Sequence, residues 1–80
     1  MPKFFFDVQD GNGFHEDCIG DVFDSLEDAV AQAQCILPAI ARDEMPSGDL
    51  HDFKCDVRDD TSRIVYRGNL SYRGSREVLH

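Results

Sequence analysis

The chain has 80 residues and carries eight Lys and Arg against sixteen Asp and Glu, which gives a net charge of −8. Because so short a chain cannot divide its apolar residues between two cores, it forms one domain with a modest core. The negative charge repels phosphate backbones and anionic lipids, so we expect neither nucleic acid nor a membrane as a partner. The small core favours a homodimer that buries more apolar surface.

The sequence also indicates where the protein works. No apolar run approaches the ~18 residues that span a bilayer, and the opening MPKFFFDVQD reaches an acid too early for a signal peptide. The three cysteines, Cys18, Cys35 and Cys55, form an odd set without paired spacing. That usage is typical of reduced thiols, not of a disulfide framework, so we expect a cytoplasmic protein.

The first segments of the chain predict two strands. Residues 3–8 alternate, and their apolar face holds Phe4, Phe6 and Val8. The dipeptides Asp10-Gly11 and Asn12-Gly13 tolerate the positive φ of tight hairpin turns. A second, weaker strand is predicted within 14–23, with a bulge at Gly20.

From Ser25 the spacing of apolar residues becomes helical. One stripe contains Leu26, Ala29, Val30, Ala33, Ile36, Leu37 and Ile40. Ser25 is suited to cap the first turn, with Asp28 completing a capping box. Pro38 deletes a helical hydrogen bond, so we expect a kink or an early end there, followed by a surface loop over 42–49.

The last third predicts two more strands. Residues 52–59 alternate with Phe53, Cys55 and Val57 inward, and 59–62 form a turn without glycine. In 63–72 the inward residues are Ile64, Tyr66, Leu70 and Tyr72. The outward residues are Arg63, Val65, Arg67 and Arg73. The pair Gly68-Asn69 is expected to end or bulge that strand.

The order strand, strand, helix, strand, strand predicts a single α+β domain over 1–80, an antiparallel sheet with one helix packed on one face. Its core spans about 3–72, and 73–80 is predicted to be a flexible tail. One helix covers only part of a four-stranded sheet. Phe5 and Val65, if adjacent, would then leave an apolar spot on the open face, which is a second reason to expect self-association.

Charge is distributed unevenly along the chain. Residues 1–60 hold fifteen acids and four bases, whereas residues 61–80 hold one acid, Glu77, and four arginines. Either these arginines pair with the acidic body of their own chain, or they form a docking strip for an acidic partner or a second protomer. The candidate interaction surface consists of Arg63, Arg67, Arg73, Phe5 and Val65.

The polar stretch DGNGFHEDC (10–18) is interpreted as a bend between strands. A calcium loop starting at Asp10 fails at its third ligand. Zinc is the better rival, because His15-x2-Cys18 and His51-x3-Cys55 could close a tetrahedral site. Cys55, however, fits an inward core position. No nucleophile elbow, phosphate loop or dinucleotide fingerprint is present, so we expect no metal, no cofactor and no catalytic residues.

Two resemblances accompany these features. The segments MPKFFFDVQDG, SLEDAVAQA and CDVRDDTSRIVYR resemble a small, mainly alphaproteobacterial family, domain of unknown function 6894, over most of 1–67. They are turn, cap and core positions, so the resemblance implies a fold and no activity. The chain departs from that pattern at Pro38, in its glycine-free turn, and in the extension GNLSYRGSREVLH.

Residues 4–44 are more weakly similar to the partner-binding domain of HicB-type antitoxins, which implies an inhibitor that binds a small toxin. The leading hypothesis is a small non-enzymatic cytosolic protein-interaction module that forms a homodimer. An antitoxin-like inhibitor of a small basic toxin is the first alternative. A zinc-binding or enzymatic domain is the second.

Overall fold

The computed structural model describes residues 2–77 and shows one helix on an antiparallel sheet, which confirms the predicted α+β class. The elements are β1 (Lys3–Asp10), β2 (Gly13–His15), β3 (Asp21–Val22), α1 (Leu26–Glu44), a 3-10 turn (Met45–Ser47), β4 (Leu50–Arg58) and β5 (Ile64–Arg73). The strand order is β2-β1-β4-β5, and β3 pairs with the start of β1.

The core lies between α1 and one face of the sheet, called here the helix face. The sheet contributes Phe4, Phe6, Phe53, Cys55 and Val57, and α1 contributes Ala29, Ala33, Leu37 and Ala41. The period-2 alternation predicted for β1 and β4 is therefore confirmed. Three of the four buried helix residues are alanines, whose short side chains allow α1 to lie close to the strands.

The start of α1 is confirmed and its predicted early end is wrong. Ser25 Oγ accepts a hydrogen bond from Asp28 N–H at 3.2 Å. Pro38 lies on the exposed side of the helix, which continues to Glu44. The buried neighbours Leu37 and Ala41 hold this turn against the sheet, and that packing offsets the backbone hydrogen bond that proline lacks. The loop predicted from residue 42 therefore begins only after the helix and the 3-10 turn.

The predicted second strand is split into β2 and β3, and residues 16–20 leave the sheet between them. Only Phe23 of this region reaches the core. The centre of its ring lies 6.1 Å from the ring centre of Phe4 and 5.6 Å from that of Phe6. Gly20 has a φ of +73°. A β-carbon there would lie 2.8 Å from Cε2 of Phe5, so the loop depends on glycine for both its backbone conformation and its contact.

Strand β5 is continuous through Gly68 and Asn69, so the break predicted there is wrong. The irregularity lies instead opposite Val57 and Arg58, where one extra residue shifts the register. As a result Ile64 is 45% exposed, while Val65 packs against the core. The inward position predicted for Ile64 and the outward position predicted for Val65 are both wrong.

The turn before β5 forms without glycine, as predicted. Oδ1 of Asp59 accepts hydrogen bonds from the backbone N–H groups of Thr61 and Arg63 at 2.9 and 3.0 Å. Ser62 adopts a φ of +67° in place of a glycine. The Asp59 carboxylate thus accepts hydrogen bonds from backbone N–H groups that would otherwise need water as their acceptor.

At the end of the described chain, Gly74 N–H donates to the carbonyl oxygen of Asp49 at 2.7 Å. The Arg76 guanidinium lies 3.2 Å from the Asp49 carboxylate. The rest of the predicted tail, 78–80, lies outside the described residues. Among residues 2–77 no helix is long and apolar enough to cross a membrane.

Candidate functional site

The arginines of the candidate surface are mostly engaged within the chain. Arg63 Nε lies 3.5 Å from the Asp59 carboxylate, and Arg67 Nε lies 3.3 Å from Asp56 Oδ1. With the Arg76 pair described above, three of the four arginines in 61–80 bind acids of their own domain. Arg73 pairs by backbone register with Leu50.

Phe5 and Val65 do not form the apolar spot that the sequence suggested. They lie on β1 and β5, which are separated by β4. Arg58 stands between the two strands, opposite Phe5 on one side and Ile64 on the other, and its guanidinium lies 5.0 Å from the Phe5 ring centre. Because Val65 also packs on the helix side, it is absent from the open face, where Arg58 lies between Phe5 and Ile64.

The open face instead carries a row of four charged side chains that cross three strands. Asp7 and Asp56 are cross-strand neighbours, each 7% exposed. Two like charges placed opposite each other destabilise the sheet unless each has a counter-charge. Arg58 binds Asp7 with Nε and Nη2, and Arg67 approaches Asp56. Oδ1 of Asp56 is buried, and its contact with Arg67 lacks hydrogen-bond geometry.

Asp17 extends this row into the loop that leaves the sheet. Its Oδ2 accepts the Phe6 N–H at 3.0 Å, and its own N–H donates to Asp7 Oδ1 at 3.0 Å. Arg58 Nη2 donates to the Asp17 carbonyl oxygen at 2.9 Å. A carboxylate therefore takes the place of the strand partner that β1 lacks between β2 and β3. Asp7, Arg58 and Asp17 are called here the ionic lock.

The ionic lock shifts the pKa values of its members. Burial raises the pKa of Asp7, but hydrogen bonds from Arg58 and from the Asp17 backbone outweigh burial and hold that pKa below its ordinary value. Burial opposes ionisation of Asp17 too, and the N–H groups of Gly20, Phe6 and Ile19 lower its pKa overall. The hydrogen bond to Asp7 raises the pKa of Arg58. All three groups are charged near neutral pH.

Sequence reasoning missed the ionic lock. The alternation places Asp7 and Arg58 on the outward face of their strands, but 50 residues separate them along the chain. Only the pairing of Phe5 with Arg58 brings their side chains together. Nothing in the sequence distinguished Asp17 from the other acids in the same stretch, so its role could not be predicted.

The two edges of the sheet differ. One edge consists of β2 and β3, which have three and two residues and are interrupted by the loop. The other is β5, with ten residues, and no described residue pairs with its outer side. Short and interrupted edge strands prevent strand addition, whereas a long continuous edge permits it.

The hydrogen-bonding groups of the β5 edge can be assigned. Gly74 bonds to Asp49, and such hydrogen-bonded pairs alternate along an antiparallel ladder. Alternate residues therefore direct their N–H and C=O groups away from β4. These residues are Arg67, Asn69, Ser71 and Arg73.

A groove runs between α1 and this edge, with a volume of about 320 Å³. Its walls are formed by Gln34, Leu37, Pro38, Tyr66, Arg67, Gly68, Asn69 and Leu70. Gly68 sets its depth, since a β-carbon there would approach Cδ1 of Leu37 to 3.1 Å. The β5 edge and the groove beside it therefore offer a second strand both backbone hydrogen-bonding groups and an apolar recess for its side chains.

A second depression, of about 540 Å³, lies at the other end of the sheet. It is lined by Met45, Pro46, Gly48, Asp49, Tyr72 and Arg76. Its two charged members, Asp49 and Arg76, are bound to each other.

The residues considered for zinc occupy different environments. Cys55 is fully buried in the core, whereas Cys18 is exposed on the 16–20 loop. His51 stacks on Phe53 and contacts the Gly48 carbonyl oxygen at 3.1 Å. Among residues 2–77 no three His, Cys, Asp or Glu side chains converge on a point that could hold a metal ion.

Comparison with known proteins identifies the domain. The model of a family described as a domain of unknown function, DUF6894, matches residues 3–71. The chain belongs to this family. The match reaches into β5, so Gly68 to Ser71 are part of the DUF6894 domain and not of an added extension. Comparisons with curated proteins and with solved structures give no match.

Proposed function

We propose that this DUF6894 chain is a non-enzymatic protein-interaction module that forms a homodimer, in which the β5 strands of two copies join edge to edge. The observation that carries the proposal is the contrast between the two edges. One is broken into short pieces by the ionic lock and its loop, while β5 is a strand of ten residues in which alternate residues direct their backbone groups outward.

The sequence of β5 is suited to pairing with itself. In an antiparallel pair with the dyad at Gly68, Tyr66 lies opposite Leu70 of the second copy on the helix face. Arg67 lies opposite Asn69 on the open face. Apolar residues then meet each other and no like charges face across the centre, which is the pattern that stabilises cross-strand pairs.

The grooves support the same arrangement. Each contains Tyr66 and Leu70 beside Leu37 and Pro38. The dyad at Gly68 brings the two grooves together, so that side chains of one copy cover apolar surface of the other. An 80-residue domain with a small core gains from this additional burial. Because Arg67, the arginine beside the dyad, is already paired with Asp56, two uncompensated charges do not meet at the centre of the strand pair.

Sedimentation equilibrium tests the proposal. We expect a mass twice the chain mass of 9.1 kDa at tens of micromolar. Asn69→Pro removes an N–H that points outward, so it should give a folded monomer. A monomeric wild-type chain at these concentrations, or an Asn69→Pro variant as dimeric as the wild type, would refute the β5 dimer.

Charge variants test the register. Asn69→Lys places a cation opposite Arg67 of the second copy, twice by symmetry, and should weaken the dimer several-fold. Asn69→Asp should tighten it. Lys54 is the neighbour of Asn69 on β4, so urea unfolding of each variant separates effects within one chain from effects on association. If both variants weaken the dimer, Asn69 itself lies on the dyad, because either charge would then face its own copy. The antitoxin-like alternative stays a prediction.

A further inference from the structure

Three large apolar side chains lie outside the core in the segment that contains β2 and β3. Phe14 is 58% exposed, Ile19 is 79% exposed and Val22 is 54% exposed. We call these three residues the apolar strip. Side chains of this size exposed together within nine residues usually mark a contact surface, whereas single exposed apolar residues do not.

The strip has a defined direction and length. Phe14 pairs with Gln9 and Val22 pairs with Lys3, so both lie on the open face of the sheet. Ile19 lies between them in the 16–20 loop. Their partners Lys3 and Gln9 are six positions apart on β1, which corresponds to roughly 20 Å of strand.

The surroundings of the strip are acidic. Residues 10–24 contain five acids and no Lys or Arg. Three cations lie near it on the open face, fewer than these acids: Arg58 belongs to the ionic lock, Lys3 lies 5.7 Å from the Phe5 ring centre, and Lys54 on β4 pairs with Gln9. The field at the strip therefore favours a cationic partner.

The backbone of this edge limits the mode of binding. Because β2 and β3 are short and interrupted, an added strand would find few hydrogen-bonding groups, and recognition must depend on side chains. A helix rises 1.5 Å per residue, so about 14 residues match the length of the strip with apolar side chains at every third or fourth position. We infer that the apolar strip binds a basic amphipathic helix of a partner protein.

This inference rests on the proposed role as an interaction module but not on the β5 dimer. The probe is a synthetic peptide of about 18 residues with a leucine stripe on a lysine background. A matched peptide replaces Leu with Ser at equal charge. Isothermal titration at physiological salt should show binding of the leucine peptide and none of the serine peptide. The monomeric Asn69→Pro variant should bind like the wild type, which separates this surface from β5.

The protein variant that tests the strip is Phe14→Ser with Ile19→Ser, since both side chains are exposed and neither packs in the core. It should weaken binding at least tenfold. The matched control is Leu50→Ser, because Leu50 is 64% exposed on β4, and it should leave binding unchanged. Equal binding of both peptides, equal loss in the control, or a change of oligomer mass in the double variant would overturn the inference.

Discussion

Arg58 on β4 and Asp7 on β1 form a two-point ion pair across the centre of the sheet, with Nη2 3.1 Å from Oδ1 and Nε bonded to Oδ2. The same guanidinium holds the Asp17 carbonyl oxygen. One arginine thus joins two strands and the loop that interrupts one sheet edge. Arginine is suited to this role because its donors lie in a rigid plane.

Removing the carboxylate charge of Asp7 should destabilise the domain. Asp7→Asn leaves the mostly buried Arg58 without its main counter-charge, so we expect the free energy of unfolding to fall by about 3 kcal/mol. Urea denaturation followed by circular dichroism measures it. Asp60→Asn, at an exposed turn position, is the matched control and should change little. Equal stability of both variants would show that the ionic lock contributes nothing.

The ionic lock also predicts how stability depends on pH. The pKa values of Asp7 and Asp17 are lowered from 3.8 in the folded chain, so both carboxylates contribute stability above the unfolded pKa of about 4. That contribution is lost as the pH falls through the folded pKa values. Stability should therefore be flat between neutral pH and about 5 and decline below it. Asp7→Asn should show a shallower decline, and parallel curves would contradict this account.

Gly20 should tolerate substitution less than Gly13. Both have positive φ. A β-carbon at Gly20 would meet Phe5 and the Phe4 carbonyl oxygen within 3 Å, whereas a β-carbon at Gly13 would have no described atom within 4 Å. Gly20→Ala should cost about 2 kcal/mol or more, because a backbone penalty and a steric contact add. Gly13→Ala carries the backbone penalty alone. Thermal unfolding of the two variants gives the difference, and equal costs would mean that the loop moves freely off β1.

The three thiols should differ in reactivity. Burial raises the pKa of Cys55 to about 11, aided by the charges of Asp56 and Asp7, while Cys18 and Cys35 are exposed. With Ellman's reagent at pH 8 we expect two thiols to react quickly and Cys55 only through opening of the fold. The double variant Cys18→Ser, Cys35→Ser should lose the fast phase. Fast labelling of that variant would place Cys55 at the surface.

Local patterns in the sequence determined much of this fold. The alternation at Phe4 and Phe6, the helical stripe and the cap at Ser25 each depend on neighbours within a few residues. They yielded the placement of the helix between two groups of strands, the helix face and the start of α1, but not the split of the second strand into β2 and β3. The glycine-free turn at 59–62 was predicted as well, and the structure shows that the Asp59 carboxylate accepts its backbone hydrogen bonds.

What depends on residues far apart in sequence was decided only by the tertiary structure. Packing of Leu37 against β5 allowed α1 to continue past Pro38, and a one-residue bulge reversed the faces of Ile64 and Val65. The pairing of β1 with β4 brought Asp7 to Arg58. Periodicity gives the face on which a side chain lies, but the register between strands gives its partner, and register is set by the packing of the whole domain.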